Sequence, residues 1–407
     1  MQTTRRHDSA PEVETADELH AAIAERADDL IARRRHFHQH PELSHEERET
    51  AAAIAEHLRG LGLDVTAGVG GHGVVGLLRG TVEGAAEGPT LMVRADIDAL
   101  PITEQSGAPY ASQRPGVMHA CGHDGHIAIA MTLAEVLTAR RDRLRGSVKF
   151  VFQPAEERAA GAEPMIAAGV MQGVDAVIGL HLWSQVPVGE VAVRPGAFFA
   201  SADELHLRVR GRGGHGAEPH LTVDPVVVTA QIITALQTLV SREINPLHSA
   251  VVTFGTIHGG TAGNVVADEV ELKGTLRTYD PADREYLLRR IGEVTRGVAA
   301  SLRAEAIFEP GMSCPACIND ETVAALVRRA AAATVGEGHI LGERRFSVSD
   351  DMARFLQEAP GCYFVVGGGN VERGITAPHH NARFDLDEAC LPIGVEVLAR
   401  AALEYLA

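Results

Sequence analysis

The 407-residue sequence predicts an α/β fold, in which a mostly parallel mixed sheet is flanked by helices and carries an inserted ferredoxin-like α+β domain. The chain is longer than one hydrophobic core usually allows, so two domains are expected. Short apolar runs alternate with helical stretches, which is the pattern of βα units and of a parallel sheet. A segment of different texture, with half-exposed strands and two long helices, interrupts this alternation.

The predicted strands of the main sheet are short apolar runs that each lead into polar residues. They occupy residues 91–93, 148–152, 176–180 and 363–366. Ligands of parallel α/β sheets bind beyond the carboxyl ends of the strands. The polar residues that follow these runs should therefore meet at one edge of the sheet.

Two helices are predicted before the first of these strands. Residues 16–37 form an amphipathic pattern that Pro41 ends, and a second helix is expected over residues 46–61. Ser44 and Glu47 have the spacing of a capping box for the second helix. His36 and His40 lie on one helical face, so they could bind a metal ion, although a structural role explains them more simply.

The segment that interrupts the alternation of strands and helices is predicted to form the inserted domain. Its strands and helices follow the order βαββαβ over residues 204–209, 223–241, 251–257, 270–278, 282–300 and 304–308. This order is that of a ferredoxin-like unit. The main domain would then comprise residues 1–198, with a flexible start over 1–17, and residues 311–407. The insertion would comprise residues 199–310.

Charge and cysteine content limit the partners and the compartment. Asp and Glu (54) outnumber Lys and Arg (37), which gives a net charge of −17 and argues against nucleic acids and anionic membranes as partners. No apolar run approaches transmembrane length. Five cysteines without framework spacing fit a reducing compartment, so we expect a cytoplasmic protein in which Cys314 and Cys317 are incidental.

The most chemically dense stretch runs from residue 119 to residue 126. It contains His119, Cys121, His123, Asp124 and His126, whose imidazole, thiol and carboxylate groups are typical zinc ligands. The apolar residues 127–137 follow with helical spacing, so the stretch should be a loop that opens a helix. The helix dipole would then lower the pKa of the Cys121 thiol.

Further candidates stand at other predicted strand ends and turns. The adjacent acids Glu156 and Glu157 point different ways, so one could bind a metal ion while the other acts as a base; a solvated acidic pair is the alternative. His181 follows an apolar run and is either a ligand or a buried core residue. The adjacent histidines at 379 and 380 provide either a further ligand or part of a surface turn. The glycine-rich turn 211–220 could bring His215 close to a substrate.

These motifs as a set resemble the aminoacylase, hippurate hydrolase and auxin-conjugate hydrolase group of the two-metal amidohydrolase and carboxypeptidase superfamily. The resemblance extends from about residue 36 to the C-terminus, and the motifs follow the order of that group. The matching segments are 38–44, 94–101, 119–126, 152–157, 181–183, 213–215, 259–265 and His380.

The resemblance implies a metallopeptidase catalytic domain that holds two divalent ions, which could be zinc, manganese or cobalt. The implied ligands are Cys121, His123, Glu157, His181 and His380, with Cys121 as the bridging ligand. Two histidines stand at 379 and 380, and the register with the following Phe384 favours the second.

Other residues receive roles from the same resemblance. Glu156 would be the general base and later the general acid, and Asp96 would orient a metal ligand. His215 would stabilise the oxyanion, reaching from the inserted lid domain into the other subunit of a homodimer. Asn264 and Arg277 would bind the α-carboxylate of the substrate, a task that suits the planar fork of arginine.

The expected reaction is hydrolysis, by metal-activated water, of the amide bond in N-acyl amino acids of the acetyl, benzoyl or aryl-acetyl type. A dipeptidase or carboxypeptidase with the same site is the first alternative. A catalytically silent metal-dependent binding protein and a thiol-nucleophile hydrolase built on Cys121 are the others. Loss of activity with a chelator, restored by metal, would fit only the metal-dependent enzymes.

Overall fold

The computed structural model describes residues 16–407, which form two compact units. The first unit comprises residues 16–195, Asn319–Arg344 and Phe355–Ala407, and the second comprises Gly196–Ile318 and Arg345–Arg354. Of the predicted flexible start over 1–17, residues 1–15 lie outside the described residues, and the first helix begins at Ala16. None of the helices in the described part is both long enough and apolar enough to cross a membrane.

The chain alternates strands and helices. The strands are β1 (Asp64–Val69), β2 (Gly73–Arg79), β3 (Thr90–Asp96), β4 (Ser147–Gln153), β5 (Ala176–Pro187), β6 (Val191–Ala192), β7 (Gly196–Phe199), β8 (Ala202–Arg210), β9 (Gly214–His215), β10 (Ala250–Gly259), β11 (Val265–Val266), β12 (Glu269–Thr278), β13 (Glu305–Cys314), β14 (Cys317–Asn319) and β15 (Gly361–Gly369). The helices are α1 (Ala16–Ala24), α2 (Ala27–Gln39), α3 (Arg48–Gly60), α4 (His123–Thr138), α5 (Ala162–Ala167), α6 (Pro225–Thr238), α7 (Pro281–Ser301), α8 (Glu321–Val335), α9 (Met352–Glu358) and α10 (Cys390–Tyr405).

A seven-stranded mixed sheet forms the centre of the first unit, with the order β1-β2-β4-β3-β5-β15-β6. Its four central strands β4, β3, β5 and β15 are parallel, whereas β1, β2 and β6 pair antiparallel at the edges. The central strands are buried almost throughout, as expected for parallel strands covered on both faces. They contain the four predicted apolar runs, so the prediction of a mixed sheet flanked by helices is confirmed.

Helices of the first unit pack on this sheet and on each other. Helix α4 contacts α2, α10 and β3, and it is buried along nearly its whole length. Its residues from Ile127 onward are mostly apolar, whereas its buried first turn carries polar side chains. Helix α8 contacts α10 and β15, and α3 contacts β1 and β2. Their apolar faces and the sheet share one hydrophobic core. The core fixes the N-terminus of α4 beside the carboxyl ends of the parallel strands.

The start of the first unit differs from the prediction in two respects. The helix expected over 16–37 is interrupted after Ala24, so that it forms α1 and α2. The predicted capping box of α3 is wrong: the Ser44 hydroxyl donates to Asp98 (2.6 Å), and the Glu47 carboxylate accepts the N–H of Ala155 (2.8 Å). Both side chains are drawn away from the helix by groups that are distant in sequence. The Glu42 carboxylate accepts the N–H groups of the first turn of α3 instead.

The second unit contains a four-stranded antiparallel sheet with the order β10-β12-β8-β13. Helices α6 and α7 connect its strands in the order βαββαβ and pack against β12 and each other. Asp224 and Asp280 cap the two helices by accepting backbone N–H groups, and a proline follows each of them. The unit has a hydrophobic core of its own between the helices and one face of the sheet. Its topology is the ferredoxin-like one that the sequence predicts.

Candidate active site

Polar side chains gather near the carboxyl ends of the parallel strands of the first unit. Strand β3 ends at Asp96, the loop after β4 carries Glu156 and Glu157, and β5 contains His181. Helix α4 adds His123, its first residue. This is the edge at which α/β sheets bind their ligands.

Left-handed backbone conformations shape two of these loops. Gly122 adopts φ 93° immediately before α4, a value that suits a residue without a β-carbon. Ala155 (φ 53°) and Ala159 (φ 46°) flank the short 3-10 turn Glu156–Arg158. A left-handed conformation costs a residue with a β-carbon about 1–2 kcal/mol. The turn that carries the two glutamates therefore needs support from its surroundings.

Cys121 lies at the centre of the cluster. Its Sγ is 3.6 Å from Nε2 of His181. Ligand atoms of Cys121, His123 and Glu157 lie within 4.8 Å of one another, and so do those of Cys121, His181 and His379. Because Cys121 belongs to both groups, it occupies the position that a ligand shared by two metal ions would need.

Two buried atoms of the cluster show that its residues fit a metal ion. Nε2 of His123 and Oε1 of Glu157 are buried, and neither finds a hydrogen-bond partner among residues 16–407. Such atoms are rare, because each costs about 1–3 kcal/mol when its partner is missing. Thiolate, imidazole and carboxylate groups are the ligands that zinc and related divalent ions prefer. A divalent ion would satisfy both buried atoms.

Backbone carbonyl groups fix the orientation of two imidazoles. Nδ1 of His123 lies 2.9 Å from the carbonyl oxygen of Asp98, and Nδ1 of His181 lies 2.7 Å from that of Leu182. In both rings Nδ1 must carry a proton, because a carbonyl oxygen can only accept, so in the neutral ring the lone pair of Nε2 points into the cluster. Metal-binding histidines are commonly oriented in this way.

The electrostatic surroundings of these two imidazoles differ. Burial, together with the neighbouring imidazoles, lowers the pKa of His181 well below its ordinary value, so its ring is neutral. Burial also acts to lower the pKa of His123, but the carboxylates of Asp96, Asp98 and Glu157 outweigh it and raise the pKa to about 10. The carboxylates thus favour a positive charge at this point, which a bound cation would supply.

The prediction that the helix dipole lowers the pKa of Cys121 is wrong. Burial raises the pKa of this thiol well above its ordinary value, and the nearby carboxylates of Glu157, Glu156 and Asp96 raise it further. The surrounding protein groups therefore disfavour a thiolate. This argues against the alternative of a thiol-nucleophile hydrolase, which needs a lowered thiol pKa.

His126, whose role the sequence left open, connects Asp96 to the strand that carries His181. Its Nδ1 lies 2.5 Å from Oδ1 of Asp96, and its Nε2 accepts the N–H of Leu182 at 2.9 Å. Asp96 in turn accepts a hydrogen bond from Arg94 at 2.7 Å. Asp96 therefore orients His126 directly, while its other oxygen lies 3.7 Å from Nε2 of His123. The three-residue spacing of the two histidines, which places them on one face of α4, was the available signal.

Asp98 is a residue that sequence reasoning missed. One of its carboxylate oxygens accepts hydrogen bonds from the Ser44 hydroxyl and from the N–H of Glu157 (3.1 Å), while its carbonyl oxygen accepts from His123. It therefore fixes parts of two loops at once. Its position two residues after Asp96 was the only available signal, because extended chains place such residues on the same side.

Both histidines of the pair 379–380 lie near the cluster. Nε2 of His380 is 3.3 Å from Oε2 of Glu157, although the ring is half exposed. His379 is partly buried; its ring lies against Trp183, and its Nε2 accepts the N–H of Ser184 at 3.3 Å. The prediction that His380 is the ligand stays a prediction, and His379 is a second imidazole at the same place.

The remaining predicted residues lie in the second unit. His215 is exposed on the short strand β9, pairs with Val265 of β11, and accepts the N–H of Ala217 through Nδ1 (3.0 Å). Asn264 is exposed next to it, and its carbonyl oxygen accepts the N–H of Gly216 at 2.9 Å. Arg277 is half buried in β12 and donates to Thr275. The structure thus brings His215 and Asn264 together, and the roles of all three residues stay predictions.

A comparison with known families finds a match over most of the chain. The model described as peptidase family M20/M25/M40 matches residues 92–404. The match covers β3 through α10, and therefore every predicted metal ligand.

Similar proteins match over nearly the whole length. The chain is 40% identical to N-acetyl-L-cysteine deacetylase of Bacillus subtilis (strain 168), over 89% of this chain and 84% of that protein. It is 37% identical to thermostable carboxypeptidase 2 of Saccharolobus solfataricus, over 97% and 99% of the two chains. A crystal structure of the Bacillus subtilis YXEP protein, described as a dinuclear metal binding peptidase from the M20 family, is 34% identical with a TM-score of 0.82 and covers 94% of this chain and 99% of that one.

Proposed function

The chain belongs to peptidase family M20/M25/M40, and from this membership and the buried cluster we propose that it hydrolyses N-acyl amino acids with two divalent metal ions. The observation that carries the proposal is the pair of buried atoms on His123 and Glu157, beside Cys121, that find no hydrogen-bond partner in the described part of the chain. The similarity to N-acetyl-L-cysteine deacetylase supports an N-acyl amino acid as the substrate.

The ligands in this proposal are Cys121, His123, Glu157, His181 and His380. Their mixed sulfur, nitrogen and oxygen donors suit zinc, manganese or cobalt. When bound, such ions supply Lewis-acid polarisation of the amide carbonyl and make water a stronger acid.

The chain's own residues supply the proton transfer and the substrate contacts. Glu157 joins the ligand group with Cys121, and we assign its neighbour Glu156 to proton transfer. Glu156 accepts a proton from the attacking water and later delivers it to the leaving amine. His215 donates a hydrogen bond to the developing oxyanion. Asn264 and Arg277 bind the free α-carboxylate of the substrate.

Metal removal and a substrate panel test the proposal. Dialysis against a chelator should abolish hydrolysis of acetyl-, benzoyl- and indole-acetyl-amino acids, and zinc, manganese or cobalt should restore it. Unchanged activity of protein that elemental analysis finds free of metal would contradict the proposal. A protein that binds metal yet turns over no member of the panel would be a binding protein instead.

A dipeptidase or carboxypeptidase is the second candidate function. The similarity to thermostable carboxypeptidase 2 over nearly the full length favours it specifically. We expect kcat/KM to be higher for N-acetyl and N-benzoyl amino acids than for dipeptides with the same C-terminal residue. The opposite order would make the peptidase the better description.

The choice between His379 and His380 can be tested directly by metal content. We expect His380→Ala to lose metal, because Nε2 of His380 faces Glu157. His379→Ala should keep metal, because Nε2 of that ring already accepts the N–H of Ser184 and its Nδ1, which has no hydrogen-bond partner among residues 16–407, then carries the ring proton. The reverse result would assign the ligand to His379.

A homodimer through the second unit is part of the proposal. Strand β10 lies at the edge of its sheet, and Val251 and Ile257 on it are half exposed, as are Val226 and Val227 on α6. An exposed apolar edge strand is suited to pairing with a second copy. Val251→Lys should shift the mass measured by light scattering from dimer to monomer. If His215 acts in the other subunit, the same variant should also lose turnover.

We also assign the protein to the cytoplasm. All five cysteines lie in the described part of the chain, where all are buried and no disulfide links them. Cysteines without disulfides are typical of a reducing compartment.

A further inference from the structure

The segment 42–47, which joins α2 to α3, binds the loop that carries Glu156 and Glu157. Glu47 is fully buried, and its Oε1 accepts the N–H of Ala155 at 2.8 Å. Ala155 is also fully buried, and it has the left-handed conformation that turns the chain into the two glutamates. The carboxylate of Glu47 therefore binds one of the two residues of this loop that have an unfavourable, left-handed backbone conformation.

A second connection runs from the same segment to the other side of Glu156. The Ser44 hydroxyl donates to Oδ2 of Asp98, and this oxygen also accepts the N–H of Glu157 at 3.1 Å. The backbone N–H groups immediately before and after Glu156 are thus both bound by buried carboxylates. One carboxylate, that of Glu47, belongs to segment 42–47, and the other, that of Asp98, is bound by Ser44 of the same segment. The segment lies more than 100 residues before Glu156 in the sequence.

The N–H groups of Glu47 and His45 also face the Glu47 carboxylate, but these local contacts leave one of its oxygens without a partner among residues 16–407. Its second oxygen, Oε2, is buried and has no hydrogen-bond partner in the part of the chain that the structure describes. A buried polar atom without a partner is costly, and an apolar side chain of similar size would avoid that cost. The carboxylate is therefore better explained by what its other oxygen holds.

We propose that Glu47 is a positioning residue. By accepting the N–H of Ala155, it holds the loop so that the side chain of Glu156 is placed for proton transfer and that of Glu157 for metal binding. This inference rests on the proposed function, in which Glu156 transfers protons and Glu157 binds metal. Small displacements of catalytic groups can lower turnover about 100-fold. A residue that fixes the loop therefore controls turnover without touching the substrate.

Glu42 offers a matched control within the same segment. It is also a buried acid, and its carboxylate accepts backbone N–H groups, those of Glu49 (3.2 Å) and Thr50 (2.8 Å). These groups belong to the first turn of α3. Replacing Glu42 therefore removes the acceptor of buried backbone N–H groups, as replacing Glu47 does, but it should not release the loop of Glu156.

Amide hydrogen exchange tests the inference without reference to activity. In the metal-loaded protein, Glu47→Leu should speed exchange in a peptide covering residues 153–160, because the N–H of Ala155 loses its acceptor. Glu42→Leu should speed exchange only in the peptide covering α3. Unchanged exchange of residues 153–160 in Glu47→Leu would overturn the inference.

Steady-state kinetics with metal-loaded protein supplies the second measurement. Glu47→Leu should lower kcat about 100-fold with little change in KM. Glu47→Gln should retain most of the turnover, because its amide oxygen can accept the same N–H. Turnover that is normal in Glu47→Leu, or equally reduced in Glu42→Leu, would overturn the inference.

Two further results keep the test decisive. If Glu47→Leu does not fold, Glu47→Asp replaces it, since a carboxylate that is one methylene shorter should lose the contact and release residues 153–160. If the wild type hydrolyses no N-acyl amino acid, the proposed function fails, and the exchange measurement alone decides the role of Glu47.

Discussion

The two units hold their predicted site residues in different ways. In the first unit His123 and His181 are buried, and a backbone carbonyl fixes each ring. In the second unit His215 and Asn264 are exposed, beside strands of only two residues. Side chains that hold a metal ion need a preorganised geometry, whereas groups that act on substrate can be carried on surface turns. The difference predicts that substitutions in the two units will fail in different ways.

The largest effect is expected for Glu156→Gln, whose carboxylate lies 3.9 Å from Nε2 of His123 in the cluster. Loss of the base should lower kcat about 100- to 10,000-fold while elemental analysis finds the metal content unchanged. Glu157→Gln is the matched control, because it should lose metal as well as turnover. Turnover above about one per cent of wild type in Glu156→Gln would move the base to another residue.

His215→Ala tests the exposed turn of the second unit. Removal of one oxyanion donor should lower kcat about 100- to 1,000-fold. Because His215 is exposed, thermal unfolding and metal content should not change. His220, another exposed histidine of the same turn, is the control, and His220→Ala should be as active as wild type. Equal losses in both variants would mean that the turn acts as a whole and that His215 has no special role.

A smaller effect is expected when the support of the cluster is removed. His126→Gln should weaken metal binding about 10- to 100-fold, because the bridge from Asp96 to the N–H of Leu182 is lost. Competition with a chelator measures the dissociation constant. His57→Gln, on helix α3 outside the cluster, should leave the dissociation constant unchanged. Equal metal affinity of His126→Gln and wild type would show that Asp96 and the strand of His181 do not need this bridge.

The sequence predicted those features that depend on local pattern. The four apolar runs became the four parallel strands, because burial on both faces requires continuous apolar residues. The βαββαβ order of the second unit followed from strand alternation and helical periodicity. The resemblance of the motifs supplied the predicted metal ligands, whose side chains lie close together in the first unit.

The features that the sequence did not predict depend on partners far away in the chain. Ser44 and Glu47 have the spacing of a capping box, but Asp98 and Ala155 lie close enough to bind them instead. Cys121 stands just before a helix, but burial and carboxylates from other loops outweigh the helix dipole. Local pattern cannot rank such competing partners, because their distances are set by the whole fold.

The smallest effect concerns two His–Asp pairs, one taken from each unit. In the first unit His38 is buried, with Nδ1 2.8 Å from Asp124 and Nε2 3.3 Å from Glu104. Burial and the nearby Arg34 act to lower the pKa of His38, but the two carboxylates outweigh them and raise the pKa above its ordinary value of 6.5. The protonated ring therefore stabilises the fold below about pH 6.5, and this stabilisation is lost as the pH rises through the raised pKa.

In the second unit His248 makes the corresponding contact with Asp283 at 2.6 Å, but 40% of its side chain is exposed. Urea unfolding between about pH 5.5 and 8.5 should show that His38→Gln loses about 1.5–3 kcal/mol at the acidic end and less at the alkaline end. His248→Gln should lose no more than about 1 kcal/mol, and added salt should reduce that loss further. A salt-sensitive loss for His38→Gln, or an equal loss for both variants, would mean that burial does not distinguish the two pairs. The contrast between a buried, preorganised first unit and an exposed second unit would then hold for the metal cluster only.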